Sequence, residues 1–115
     1  MNSLEAKGYV LQLAKTIAAD EVVDKRELRR IYEVMASFEV GADTRAEILD
    51  LLYFNNDKLN AIEVNEDISA NEEIRVALAK DILFLKEQED GGKTDKIARS
   101  ILSTLKITSE QLDFL

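Results

Sequence analysis

At 115 residues the chain has room for one domain around one core, and its 46% hydrophobic and 33% charged residues suit a globular protein with a well-solvated surface. It has no proline, four glycines, no cysteine and no histidine. That argues against a turn-rich β fold and removes disulfides, thiolate chemistry, the commonest general base and the commonest transition-metal ligand. With 15 Lys and Arg against 23 Asp and Glu the net charge is −8, which makes nucleic acid phosphates and anionic lipid surfaces poor general partners.

The first predicted element is an amphipathic helix over about Ser3 to Ala19, capped at Ser3 or Asn2. Its apolar stripe is Leu4, Leu11, Ala14 and Ala18, widened by Val10, Leu13 and Ile17, with Lys7 and Gln12 on other faces. No basic start or apolar run marks Met1–Glu5 as a signal peptide, and no segment approaches the roughly 18 apolar residues of a membrane span. The expectation is a cytoplasmic protein.

Asp20-Glu21-Val22-Val23 links to a second helix that opens on the capping box Asp24-Lys25-Arg26-Glu27. Leu28, Ile31, Met35 and Phe38 carry its period, Val34 broadens the face, and Gly41 is the stop signal. Thr44-Arg45-Ala46-Glu47 repeats the capping pattern ahead of a third helix with Ile48, Leu51, Leu52 and Phe54 as its apolar face. Asn55-Asn56-Asp57 ends that helix, because these side chains compete for local backbone groups.

From Lys58 to Ala70 the pattern reads as a short helix and an extended connection carrying Leu59, Ile62, Val64 and Ile68. A long helix then starts around Ser69 to Asn71 with Ile74, Ala77, Leu78, Ile82 and Leu85 on one face. Val76, Leu83 and Phe84 on its other sides mark it as the central, buried helix. Glu89-Asp90-Gly91-Gly92 breaks it, and Thr94 caps a further helix with Ile97, Ala98, Ile101, Leu102 and Leu105. Thr108-Ser109-Glu110-Gln111 is another capping box before Leu112 and Leu115; so short a helix is either a docked stub or the edge of a domain in a longer chain.

The fold class is therefore all-α: a compact bundle of six to seven helices forming a single domain over 1–115. A shift of 67 positions lays Leu28, Ile31, Met35, Phe38 and Val40 over Asp95, Ala98, Leu102, Leu105 and Ile107, which gives two loosely similar halves.

Two kinds of cluster carry chemical promise. The acidic loops around Asp20, Asp24 and Glu27, and around Asp90 and Asp95, could offer oxygen ligands to a hard cation such as Ca²⁺ or Mg²⁺. Against that, acids at helix starts cap free amides and favour the helix dipole. The loops do not fit the EF-hand spacing: a frame from Glu87 puts Gly91 at position 5 and Ala98 at position 12. The other cluster is Lys25, Arg26, Arg29 and Arg30, either a patch for an acidic partner or a solvated face paired with acids such as Glu33. Lys25–Arg29 and Arg26–Arg30 are like-charge neighbours one turn apart, a mildly unfavourable arrangement that an acidic partner would relieve. Gly91-Gly92-Lys93-Thr94 lacks both the earlier glycine and the preceding strand of a phosphate loop.

Over Leu13–Leu28 the chain resembles the TerB-like family related to bacterial tellurite-resistance proteins, whose signature is alanine, aspartate, glycine, then a later glutamate. Ala19-Asp20 and Glu27 match it, while Glu21 stands where the family has glycine. Leu105-Lys106-Ile107-Thr108 resembles the ending of the family's second half. The resemblance implies an all-helical domain, divalent-metal binding through Asp20, Asp24 and Glu27 and less directly Asp90 and Asp95, and a place in membrane-associated stress systems. The combined expectation is a non-catalytic interaction or scaffold domain with a protein partner, binding a divalent cation weakly. The alternative is a structural regulatory domain of a larger protein that binds no metal. No small-molecule substrate is indicated, and an enzyme acting through carboxylates alone would need two acids converging in a deep apolar pocket.

Overall fold

Asparagine side chains set where three of the helices begin. Asn2 and Glu5 form a reciprocal capping box, Glu5 N–H donating to Asn2 Oδ1 at 2.8 Å and Asn2 N–H to Glu5 Oε1 at 2.9 Å. Asn65 and Asn71 accept from the amides three residues on, of Ile68 at 2.9 Å and Ile74 at 3.1 Å. These positions belong to a computed structural model that describes residues 1–18, 25–87 and 93–107, apart from the side chains of 67, 86, 87 and 93–96. Among the described residues the chain is all helical, with α1 Ser3–Ala18, α2 Lys25–Ser37, α3 Ala42–Phe54, α4 Asn56–Asn60, α5 Glu66–Ser69, α6 Glu72–Glu87 and α7 Lys93–Leu105. The radius of gyration is 13.0 Å, close to the roughly 13 Å of a compact chain this long.

The central helix is α1, not α6 as the apolar pattern predicts. All six other helices pack on α1, and Tyr9, Val10, Leu13, Ala14 and Ile17 are buried in the core. Being wrapped on nearly every side, α1 also buries Gln12 and Thr16, which reverses the expected exposed placement of Gln12. Leu4, counted in the apolar stripe, lies one turn beyond the wrapped stretch and is 67% exposed. On α6 the buried stripe is Ile74, Leu78, Ala79, Ile82 and Leu85, whereas Ala77 and Phe84 face outward. Gly8 lets α5 approach α1: a Cβ there would lie 2.9 Å from Ile68 Cδ1 and closer still to Asn65 Nδ2.

Helix ends depart from the sequence expectation in informative ways. Glu39, at φ 53°, terminates α2 with a paired closure, Val40 N–H donating to Met35 O at 2.9 Å and Glu39 N–H to Ala36 O at 3.1 Å. Gly41 is the extended N-cap of α3 rather than the stop of α2, so Thr44 lies inside α3 instead of capping it. Thr94 likewise falls within α7. Asn55 and Asn56 end α3 as expected, the Asn56 amide donating to Leu51 O and Leu52 O. Phe54, assigned to the apolar face, is 84% exposed because it sits on the last, outward turn of α3. The stretch after it forms two short helices, with Leu59 and Ile68 buried. The capping box at Thr108 lies outside the described residues.

The 67-residue shift has a backbone counterpart. Lys106 ends α7 at φ 56°, and 67 places Glu39 on Lys106. The same shift lays buried Ile31 and Val34 of α2 on buried Ala98 and Ile101 of α7.

Candidate partner-binding groove

Helices α2 and α6 both pack on α1 but make little direct contact with each other, and a groove of about 460 Å³ runs between them. Its wall from α2 carries Arg26, Arg29, Arg30 and Glu33; its wall from α6 carries Lys80, Asp81 and Phe84. Four cations against two carboxylates make this a positive strip on a chain of net charge −8.

The base of the groove is a polar network joining three helices. Asp81 is buried on α6, and its Oδ2 accepts from the Tyr9 hydroxyl of α1. Its Oδ1 accepts from Arg30 Nε at 2.9 Å and from Arg30 Nη2. On the outer side Arg30 Nη1 lies 3.6 Å from Glu33 Oε2. The ring of Tyr9 is fixed in turn by an edge-on contact with Phe38, centroids 4.9 Å apart. Burial, then the hydrogen bond to Asp81 and its charge, push the Tyr9 phenol well above its ordinary ionisation range, with the Arg30 charge opposing. Burial works against the charge on Arg30, but the hydrogen bonds and charge of Asp81 outweigh it and the guanidinium is held more firmly protonated. A phenol so hard to ionise is a poor base or nucleophile at neutral pH. The network is suited to fixing the Arg30 fork at the groove floor rather than to moving protons.

Around that fixed arginine, Arg29 and Lys80 make no ion pair among the described residues. Lys25 is exposed and stands outside the groove lining. Three members of the basic cluster thus share one groove, where Arg30 also pairs with Glu33.

The acidic candidates are less gathered. Asp20, Asp24 and Asp90 lie outside the described residues, as does the side chain of Asp95, whose backbone is in the first turn of α7. Glu27 is fully buried in the first turn of α2. Among the described residues no three of His, Cys, Asp and Glu come together as a metal would require. No described helix is long and apolar enough to cross a membrane.

The sequence reading missed Tyr9, Lys80, Asp81 and Phe84. A signal for Asp81 was present: with Ile74, Leu78 and Leu85 it completes an i, i+4, i+7, i+11 stripe, and an acid on a core stripe demands a partner. Compared with family models, curated proteins and solved structures, the chain matches none of them. What fold and groove define is a helical domain with a pre-formed cationic cleft.

Proposed function

We propose that this chain is a non-catalytic interaction domain whose α2–α6 groove receives an acidic segment of a protein partner. The observation that carries the reading is the convergence of Arg26, Arg29, Arg30 and Lys80 on one groove of an otherwise acidic protein. Complementary charge steers such a partner in and fixes its register. Arg30 is pre-oriented by Asp81, so less freedom is lost on binding than at a mobile surface arginine. Phe84, 46% exposed at the groove edge, adds an apolar contact for a side chain flanking the carboxylates. On the same reading the chain is a TerB-like module, supported by the repeated helical hairpins α1–α2 and α6–α7 with their matching ends.

The test is fluorescence anisotropy with a labelled peptide of alternating glutamate and leucine pairs, alongside a lysine-for-glutamate control. The acidic peptide binds, the basic one does not, and Arg29→Glu weakens binding at least tenfold with the thermal transition unchanged. Equal binding of both peptides, or an unaffected Arg29→Glu variant, rules the reading out.

A further inference from the structure

The outer face of α6 is charge-segregated along its length. Counting 100° per residue, Glu73, Ala77, Lys80 and Phe84 lie within a stripe of about 60°. Glu73 stands at the N-terminal end, Lys80 and Phe84 toward the C-terminal end, and the small, exposed Ala77 between them. A second hollow of about 360 Å³ opens beside the N-terminal end of this stripe, lined by Met1, Glu5, Asn71, Glu73, Ile74 and Ala77. It lies on the same flank of α6 as the basic groove, because Ile74 and Asp81 stand within about 20° of each other around the helix.

From this we infer that the acidic partner of the basic groove is a second copy of this chain, the two α6 helices packing antiparallel about a two-fold axis near Ala77. The inference rests on the groove reading above and names its occupant. A two-fold axis lying across α6 reverses direction along the helix and keeps the flank, so the basic groove of one copy faces the acidic hollow of the other. Lys80 then meets Glu73 of the second copy, and by symmetry Glu73 meets its Lys80, since the two residues are equidistant from the axis. Arg29 is brought toward the Glu5 side of the opposing hollow. Phe84, which is exposed on the lone chain, enters the space beside Met1 and Ile74. Ala77 at the crossing point lets the backbones come close. Both contacts are self-complementary, which a face of uniform charge could not be.

Sedimentation equilibrium at fixed ionic strength tests this with exposed residues whose replacement leaves the fold intact. Wild-type protein dimerises reversibly over the micromolar range, and Lys80→Glu or Glu73→Lys alone weakens self-association at least tenfold by placing like charges opposite each other twice. A one-to-one mixture of the two single variants dimerises, because the introduced glutamate of one chain then faces the introduced lysine of the other, and the remaining Glu73 faces the remaining Lys80. The double variant Glu73→Lys with Lys80→Glu also recovers, to within about threefold of wild type. A wild-type chain that stays monomeric, or a mixture that does not associate, overturns the inference. If the acidic peptide still binds in that case, the groove reading survives without self-pairing; if it does not, both fall.

Discussion

The Tyr9 hydroxyl donates to Asp81 across 72 positions of sequence, and the other oxygen of the same carboxylate holds Arg30. One buried acid thereby ties the central helix α1 to both walls of the groove. Removing one partner of such a network costs more than the network contributes, because the rest is left buried and unpaired. Tyr9→Phe is expected to destabilise the protein by about 2 kcal/mol and Asp81→Ala by about 3 kcal/mol in urea unfolding. In the double variant the losses should fall short of their sum by at least about 1 kcal/mol, the signature of a shared interaction. Strict additivity would mean that the two side chains act independently.

The same phenol sets an alkaline limit. Its ionisation is raised in the folded chain, by burial first and then by Asp81. Above the ordinary tyrosine value near 10 the unfolded chain therefore releases a proton that the folded chain keeps. Stability from this group is complete below about pH 10 and falls by about 1.4 kcal/mol per pH unit above it. Stability measured against pH should show this limb in the wild type and lose it in Tyr9→Phe. An identical alkaline slope in both proteins would assign the limb to other groups.

Glu39 and Lys106 hold left-handed backbone that a β-carbon disfavours by about 1–2 kcal/mol, and glycine adopts it freely. Since Glu39 is exposed, its side chain gives up little on replacement. Glu39→Gly is expected to stabilise the fold by about 0.5–1 kcal/mol, after allowing for the greater freedom of glycine in the unfolded chain. Lys106→Gly should act in the same direction, and the two effects should add because the sites close different helices. Raised urea midpoints with unchanged slopes would confirm the αL assignment; lowered midpoints would refute it.

Elements governed by local rules were legible in the sequence. The starts of α1 and α6 and the end of α3 are written in Asn2, Asn71, Asn55 and Asn56, whose side chains bond to backbone within a few residues. The end of α2 was not, since a glutamate in a left-handed conformation carries no signature and the nearby Gly41 drew the assignment to itself. The centrality of α1 was illegible for a different reason. α6 has the more continuous apolar run, yet which helix the others wrap depends on tertiary packing, as where the buried Gln12 amide donates to Ile62 O and Gly8 meets α5 closely. Half of the groove could be read, as a basic run on α2. The other half needed α6 placed opposite, which no local pattern encodes.

Gly8 offers a test of that close packing. In an isolated helix glycine to alanine gains about 1 kcal/mol of propensity. Here the added carbon would meet Ile68 Cδ1 at 2.9 Å and crowd the Asn65 amide, whose carbonyl oxygen caps α5. Asn65 cannot swing away without giving up that cap, a loss of about 1 kcal/mol, and overpacking at a tight helix contact costs about 1–3 kcal/mol more. The crowding outweighs the propensity, so Gly8→Ala should destabilise the protein by about 1–3 kcal/mol. In an Asn65→Ala background much of the clash is already gone, and the same substitution should cost at most a few tenths of a kcal/mol. A Gly8→Ala protein that is more stable than wild type would show that α5 does not rest on α1 at this point.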